Sequence, residues 1–240
     1  MTTLCLDFGN SRRKAAIFKE DRFIEEILLT DDLVGSVASI IQQQQPQRSI
    51  LSSVINHDEK VEQLLSATTK FHKLGTQTTL NFTIAVGKPE TVGADRLALS
   101  AAAAHFFPGM NNLVIGLGTC ITYNFINQYQ QFLGGSISPG MDMRFRCMHE
   151  YTAKLPLVQP TFTLPLIGYD TKTNIQSGVV YGMCCEIDGY IEKYGEKYGN
   201  FNVVLTGGNS AHFASLLKNK IFADHNFLFK GLYALSELNN

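Results

Sequence analysis

The sequence predicts an α/β fold of two related halves, each leading with strands and closing with helices, its mixed β-sheets flanked by helices. Two observations carry this. Leu4-Cys5-Leu6-Asp7-Phe8-Gly9-Asn10-Ser11 and Leu113-Val114-Ile115-Gly116-Leu117-Gly118-Thr119-Cys120 share one grammar: three apolar residues, one open position, an apolar residue, a glycine, a polar residue and a small one. Each copy then runs into further strand-like segments followed by helical ones, the order expected of a repeated α/β unit. The 240 residues divide accordingly into halves 1–110 and 111–240, with the boundary near Pro108 to Asn112.

Taken in order, Leu4 to Asp7 and Lys14 to Phe18 are apolar runs around a glycine-containing turn, a hairpin signal, and Phe23 to Leu29 reads as a third strand. Leu33, Val37, Ile40 and Ile41 have helical spacing, and Pro46 stops that helix after Gln45. Ser49 to Val54 is a buried strand, Asp58 to Leu65 a helix, and Lys70 to Pro89 a looser stretch. Leu97 to Phe107 is an alanine-rich helix of high intrinsic propensity, ended by Pro108-Gly109. In the second half, strands start at Leu113, and Gly134 to Gly140 reads as a loop before a helix running from Met141 to Leu155. Ile175 to Tyr194 is a long helix, and Tyr190, Tyr194 and Tyr198, at four-residue intervals, read as a packed helix stripe. Phe201 to Leu205 is a short strand leading through Thr206-Gly207-Gly208-Asn209-Ser210 into a final helical region.

Composition narrows the function classes. Hydrophobic residues make up 45%, enough for a sizeable core, and charged residues only 17%. A net charge of −1 gives no broad basic footprint for nucleic acid or anionic membrane. The uncharged stretch between Arg96 and Asp142 is broken by Pro108, Gly109, Asn111 and Asn112, so it reads as buried sheet and not as a spanning helix. Asp7 arrives too early for a signal peptide. Five cysteines without a C-x-x-C pair suit reduced thiols in a cytoplasmic protein. No histidine pair has metal-ligand spacing.

Three glycine-hydroxyl turns follow apolar strands: Asp7-x-Gly9-Asn10-Ser11 with Lys14 beyond it, Gly116-x-Gly118-Thr119-Cys120-x-Thr122, and Thr206-Gly207-Gly208. Glycine lets backbone approach an anion closely, and the amides and hydroxyls after it can hold phosphate oxygens. An aspartate at the end of a strand can hold Mg²⁺ directly or through water. Singly, such a turn is more often an Asx-turn closing a hairpin; three of them point to a nucleotide cleft. The third is expected to open a helix whose amides suit an anion. Neither a Walker-type phosphate loop nor a G-x-G-x-x-G opening a helix is present. Gly93-Ala94-Asp95-Arg96 opens the alanine-rich helix. There Asp95 is either a dipole partner or, in phosphoryl transfer, the group that takes a proton from an acceptor hydroxyl, with Arg96 holding an anion.

Together these segments, with Gly134-Gly135-Ser136-Ile137-Ser138-Pro139-Gly140 and Gly168-x-x-Thr171, resemble the type III pantothenate kinases, which belong to the actin-like (ribonuclease H-like) superfamily. The resemblance spans nearly the whole chain. It implies an actin-like fold with a central cleft, a homodimer, and transfer of phosphate from ATP to pantothenate in the first step of coenzyme A synthesis. It implies that Asp7, Gly9, Asn10, Ser11, Lys14, Gly118, Thr119, Cys120, Thr122, Gly207 and Gly208 serve ATP and its phosphates, Asp7 through Mg²⁺. Asp95 is implied as the general base, with Gly93, Ala94, Arg96 and Thr171 beside pantothenate. A monovalent cation, K⁺ or NH₄⁺, belongs to the same picture.

The chain departs from the family at several points. Gly116 stands where an aspartate usually helps bind the monovalent cation, and Asn124 where another aspartate is common. Ser11 replaces threonine, and Val86 takes the place of a substrate-side tyrosine. Two alternatives accompany the kinase reading: a regulatory relative of the Bvg accessory factor type, and an actin-fold kinase acting on another small alcohol.

Overall fold

The computed structural model describes residues 1–239. Among them the chain forms two compact units. The first comprises Met1–Gly109, Ile126–Leu133 and the C-terminal segment from Asn226; the second comprises Met110–Phe125 and Gly134–His225. The C-terminal segment thus groups with the N-terminal unit, which a single cut near residue 110 does not anticipate.

In the first unit, β1 (Thr2–Phe8), β2 (Arg13–Lys19), β3 (Arg22–Leu28), β4 (Arg48–Ser53) and β5 (Lys70–Lys73) form one sheet in the order β3-β2-β1-β4-β5. β2 is antiparallel to β1 and β3, whereas β4 is parallel to β1 and β5. Side chains alternate along a strand, so Leu4, Leu6 and Phe8 share one face. They pack there with residues of α1 (Leu33–Gln44) and α2 (Lys60–Thr68), including Val37, Ile40, Val61 and Leu65. Asp32 caps α1 through the Gly35 amide at 2.9 Å.

Alternation places Asp7 on the opposite face. That side is covered by α3 (Ala94–Phe106) and α7 (Phe227–Asn239), with Tyr233 of α7 stacked on Phe18 at 4.7 Å between ring centroids. The alanines of α3 let α7 come very near. A Cβ on Gly231 would lie 1.9 Å from the Ala98 carbonyl oxygen, inside contact distance of backbone. In the loose stretch of residues 70–89, β5 and the two-residue β6 (Thr83–Ile84) are strands that the sequence pattern left unassigned. β6 pairs with Gln131 and Phe132 within the same unit.

The second unit contains β7 (Asn112–Leu117), β8 (Cys120–Ile126), β9 (Gln131–Pro139), β10 (Asn202–Gly207) and β11 (Phe222–Ala223), in the order β11-β10-β7-β8-β9. The tip joining β8 to β9 belongs with the first unit. Counted from its own first strand, this is the same 3-2-1-4-5 order as in the first unit, and β7 pairs in parallel with β10 as β1 does with β4. The repeated strand-glycine-strand grammar therefore marks a repeated topology.

Helices α4 (Met141–Glu150), α5 (Thr171–Tyr198) and α6 (Ser210–Ala214) complete the second unit. Asp170 caps α5 through a reciprocal capping box with Thr173. The tyrosine stripe packs as expected, with Tyr190 stacked on Tyr123 at 4.1 Å and Tyr198 on Phe125 at 4.2 Å.

Besides β5 and β6, three more elements differ from the sequence expectation. Residues 134–139 are strand, not loop: Gly135 runs so near β8 that a Cβ there would sit 1.7 Å from the Tyr123 carbonyl oxygen, so its glycines serve sheet packing. α4 ends at Glu150, short of Leu155. The helix after Gly208 has only five residues, followed by β11 and then α7.

The Gly231 contact yields a direct test of the first unit's packing. Gly231→Ala forces a methyl group against Ala98 backbone and should destabilise by roughly 1–3 kcal/mol, read as a lower urea midpoint. An unchanged midpoint would mean that α7 has room to retreat.

Candidate active site

In the first unit, Asp7 lies next to the end of β1, flanked by Lys14 across the antiparallel pair and Ser52 across the parallel one. The Ser52 hydroxyl donates to Asp7 Oδ1 at 3.2 Å. Beyond it, the Gly9 amide closes the turn onto the Arg12 carbonyl oxygen at 3.0 Å, leaving Asn10 and Ser11 exposed at the tip. Lys14 is not an isolated cation: its ammonium pairs with Glu26 of β3 at 2.7 Å.

Asp95 sits in the first turn of α3, after Gly93 and Ala94 and before Arg96. The Gly93 N-cap has no side chain to cap the helix, and a Cβ there would meet Asp95 Oδ1 at 2.6 Å. The Arg96 guanidinium lies over the Phe132 ring, 5.4 Å from its centroid.

The electrostatics tie the two carboxylates together. Each keeps some accessible surface, yet the protein around Asp7 strips most water from its carboxylate. Burial, and then the charge of Asp95, raise the Asp7 pKa from 3.8 to about 7, against the Ser52 hydrogen bond and the Lys14 charge. Asp95 is also raised by burial, opposed by the Arg96 amide and guanidinium. Both halves of the predicted pair, Asp7 and Asp95, thus occupy one electrostatic environment.

In the second unit, Gly118 and Thr119 form the tight turn between β7 and β8, with the Gly118 amide donating to the Cys120 carbonyl at 3.0 Å. Gly140 is pressed onto this turn: its amide donates to Thr119 O at 3.0 Å, and a Cβ on it would lie 2.2 Å from Gly118 O. Gly207, at φ +103°, lies against β7, where a Cβ would come 2.1 Å from Leu117 O. Gly208 is exposed. The third glycine turn opens a helix too short to carry much dipole, so Gly207 acts foremost as a packing glycine. Thr171 is exposed at the start of α5.

At the departures, Gly116 contributes no side chain from within β7. Asn124 is buried and donates its amide to Val114 O and Thr122 Oγ1, both at 3.2 Å. Sequence reasoning missed Ser52, Glu26 and Phe132, which reach Asp7, Lys14 and Arg96 through strand pairing and tertiary packing. A trace of the first two existed, since each lies in a strand that pairs beside the motif.

Comparison with known proteins gives a consistent answer. The profile of the type III pantothenate kinase family matches residues 3–193. The type III pantothenate kinase of Christiangramia forsetii is 39% identical over 239 residues, covering 98% of each chain. That of Cytophaga hutchinsonii is 40% identical over 219 residues, covering 91% of this chain and 92% of the relative. Among solved structures, a conserved protein assigned to the Baf family of transcriptional activators, from Campylobacter jejuni, superposes with a TM-score of 0.61 at 20% identity, covering 98% of each chain. Component A of the (R)-2-hydroxyglutaryl-CoA dehydratase of Acidaminococcus fermentans superposes at 0.52 with 11% identity, covering 100% of this chain and 97% of that one. At such identities the two structures speak for the fold alone.

The raised Asp7 pKa has a stability consequence with a definite sign. Between 3.8 and about 7 the folded chain holds a proton that the unfolded chain has lost, so its contribution to stability falls as pH rises through that window and is flat above it. Asp7→Asn removes the effect. Without nucleotide, the melting temperature of the variant relative to the parent should therefore climb from pH 4 to pH 7, by roughly several degrees. A pH-independent difference would place Asp7 in ordinary solvent.

Proposed function

Because the chain belongs to the type III pantothenate kinase family, with its actin-like fold, and is therefore a kinase that phosphorylates an alcohol, we propose a specific assignment of roles. The chain transfers the γ-phosphoryl group of ATP to the primary hydroxyl of pantothenate, giving 4'-phosphopantothenate, the first step of coenzyme A synthesis. The observation that carries the assignment is the coupled, desolvated pair Asp7 and Asp95.

Asp95 takes the proton of the pantothenate hydroxyl as its oxygen attacks the γ-phosphorus and the bond to the β-phosphate oxygen breaks. Its raised pKa makes it a stronger base than a solvated aspartate, closer to the optimum near neutral pH. Arg96 and Thr171 hold pantothenate, with Gly93 and Ala94 giving the acceptor close access. Gly9, Asn10, Ser11 and Lys14, and in the second unit Gly118, Thr119, Cys120, Thr122, Gly207 and Gly208, serve ATP and its phosphates. Catalysis of this kind is chiefly positioning and charge neutralisation.

Asp7 fits a divalent cation in this scheme. It is a desolvated carboxylate beside a second one, and a cation would favour its charged form. Among the described residues no three acidic, histidine or cysteine side chains gather, so Mg²⁺ would be shared by Asp7, water and phosphate oxygens, as is usual for this ion. Bound there, it supplies neutralisation of the phosphate charge. An aspartate-held monovalent cation does not fit at these two positions: Gly116 offers no side-chain ligand and Asn124 carries no carboxylate.

The second copy of a homodimer fits best against the segment before α5. Tyr151, Leu166, Ile167 and Tyr169 are 82%, 76%, 83% and 81% exposed, an unusual density of open apolar side chains. All five cysteines are free thiols, which supports a reducing, cytoplasmic setting. No helix among the described residues is long and apolar enough to cross a membrane.

The assignment is tested by ADP release with and without pantothenate. Asp95→Asn should retain its fold and nucleotide binding while losing at least about a hundredfold in turnover. Near-parental turnover would remove Asp95 from the base role. In the same assay, exchanging K⁺ for Na⁺ should leave the parental rate nearly unchanged, and a strong K⁺ requirement would show that another cation site exists. Sedimentation tests the dimer: Leu166→Asp with Ile167→Asp should yield monomers, and a dimer that persists would place the interface elsewhere.

A further inference from the structure

In the second unit a charged cluster converges on one side chain of α5. Glu186 accepts hydrogen bonds from Tyr123 of β8 at 3.0 Å, from the Ser138 hydroxyl of β9, and from the Arg144 guanidinium of α4. Arg144 also donates through Nε to the Pro139 carbonyl at 2.9 Å. The Arg144 and Glu186 side chains are each only 21% exposed. Burial works to raise the Glu186 pKa, but the bonds from Ser138 and Arg144 outweigh it and hold the carboxyl below its usual range.

These partners surround one junction. Ser138 and Pro139 end β9, Gly140 follows, and Arg144 lies one turn into α4, with its amide on the Gly140 carbonyl at 3.0 Å. Gly140 is the residue whose amide holds Thr119 O and whose Cα is jammed against Gly118. The chain of contact therefore runs from Glu186, through Ser138 and Arg144, to Gly140, and from there to the Gly118-Thr119 turn. All of these residues lie in the second unit.

We propose that Glu186 is a positioning residue for the ATP-phosphate turn, setting the place of Gly118 and Thr119 by clamping the β9–α4 junction onto them. This rests on the reading of that turn as a phosphate holder. Glu186 itself touches no reacting group. Neutralising it leaves Arg144 half-buried without its counter-charge, and the junction relaxes toward solvent. Backbone shifts there pass directly into the turn, because glycine at 140 leaves no side chain to absorb them. Thr171, on the same helix, lies 15 residues away, roughly 22 Å along the axis, so the pantothenate end is insulated from the change.

The experiment measures separate KM values for ATP and pantothenate, with melting temperatures, in Glu186→Gln, Arg144→Met, the double variant and Thr119→Ala. Glu186→Gln should raise the ATP KM roughly tenfold, within what a displacement of about 1 Å can cost, while the pantothenate KM stays within about twofold. Arg144→Met should do the same, and the double variant should lose little more than either single one, as members of one clamp do. If Glu186→Gln does not fold, Arg144→Met carries the test. Equal changes in both KM values, or a lowered melting temperature with unchanged kinetics, overturns the proposal and leaves the cluster a stabilising one. An unaltered ATP KM in Thr119→Ala overturns the phosphate reading of the turn, and the proposal with it, and so separates the two failures.

Discussion

Holding two like-charged carboxylates near each other in a desolvated place is costly, and most of the first unit is arranged around doing so. Asp7 is carried by β1, whose alternate residues Leu4, Leu6 and Phe8 anchor the other face of the sheet in the core. Asp95 is carried by the first turn of a helix whose following residues, Leu97 to Ala104, are all buried. Neither carboxylate can drift from the other without pulling an apolar surface out of its packing. Burial and mutual repulsion both push Asp7 toward its neutral form. A cation bound beside the pair would reverse that balance, since it favours the charged carboxylate.

The rigidity that this arrangement requires comes from backbone packed on backbone. Gly231 lies on Ala98 in the first unit. In the second, Gly207 lies on Leu117, Gly135 on Tyr123 and Gly140 on Gly118, each too near for a Cβ. Contacts of this kind have no rotamers, so they fix position more tightly than interdigitated side chains can. They also account for the glycines at 140 and 207, which lie beside the turns after β7 and β10. A glycine in such a place can expose backbone to an anion, or it can remove the one atom that would hold two strands or helices apart. Gly207 is an example of the second sort inside a motif that reads as the first.

The outline of the fold was legible because its signals are local and repeated. The two strand-turn-strand copies predicted two related halves, and apolar spacing located the principal helices. Legibility failed where pairing, not composition, defines an element. β5 and β6 are short and polar, and β9 is glycine-rich, so each is held by its neighbours rather than by its own propensity. The site divides in the same way. Asp7 and Asp95 sit in short motifs at element ends and could be named at once. Ser52 and Glu26 could not, since their roles follow from a register that sequence spacing does not state. Glu186 was invisible for a further reason: its three donors come from three different elements, separated by up to 63 positions.

The substitutions at 116 and 124 become coherent when charge is followed through the second unit. In the pattern of the family that the chain resembles, an aspartate at the first position helps bind a monovalent cation, and another aspartate is common at the second. Keeping one of them while weakening the cation would leave a buried charge unpaired beside the phosphate turn, which is expensive. Removing both leaves neutral groups, and here Asn124 is satisfied by Val114 O and Thr122 Oγ1. The turn at Gly118 and Thr119 then has no carboxylate beside it at 116 or 124. In the first unit, by contrast, the two carboxylates Asp7 and Asp95 are retained. The second unit thus carries neutral groups at both departures, whereas the first keeps its two carboxylates.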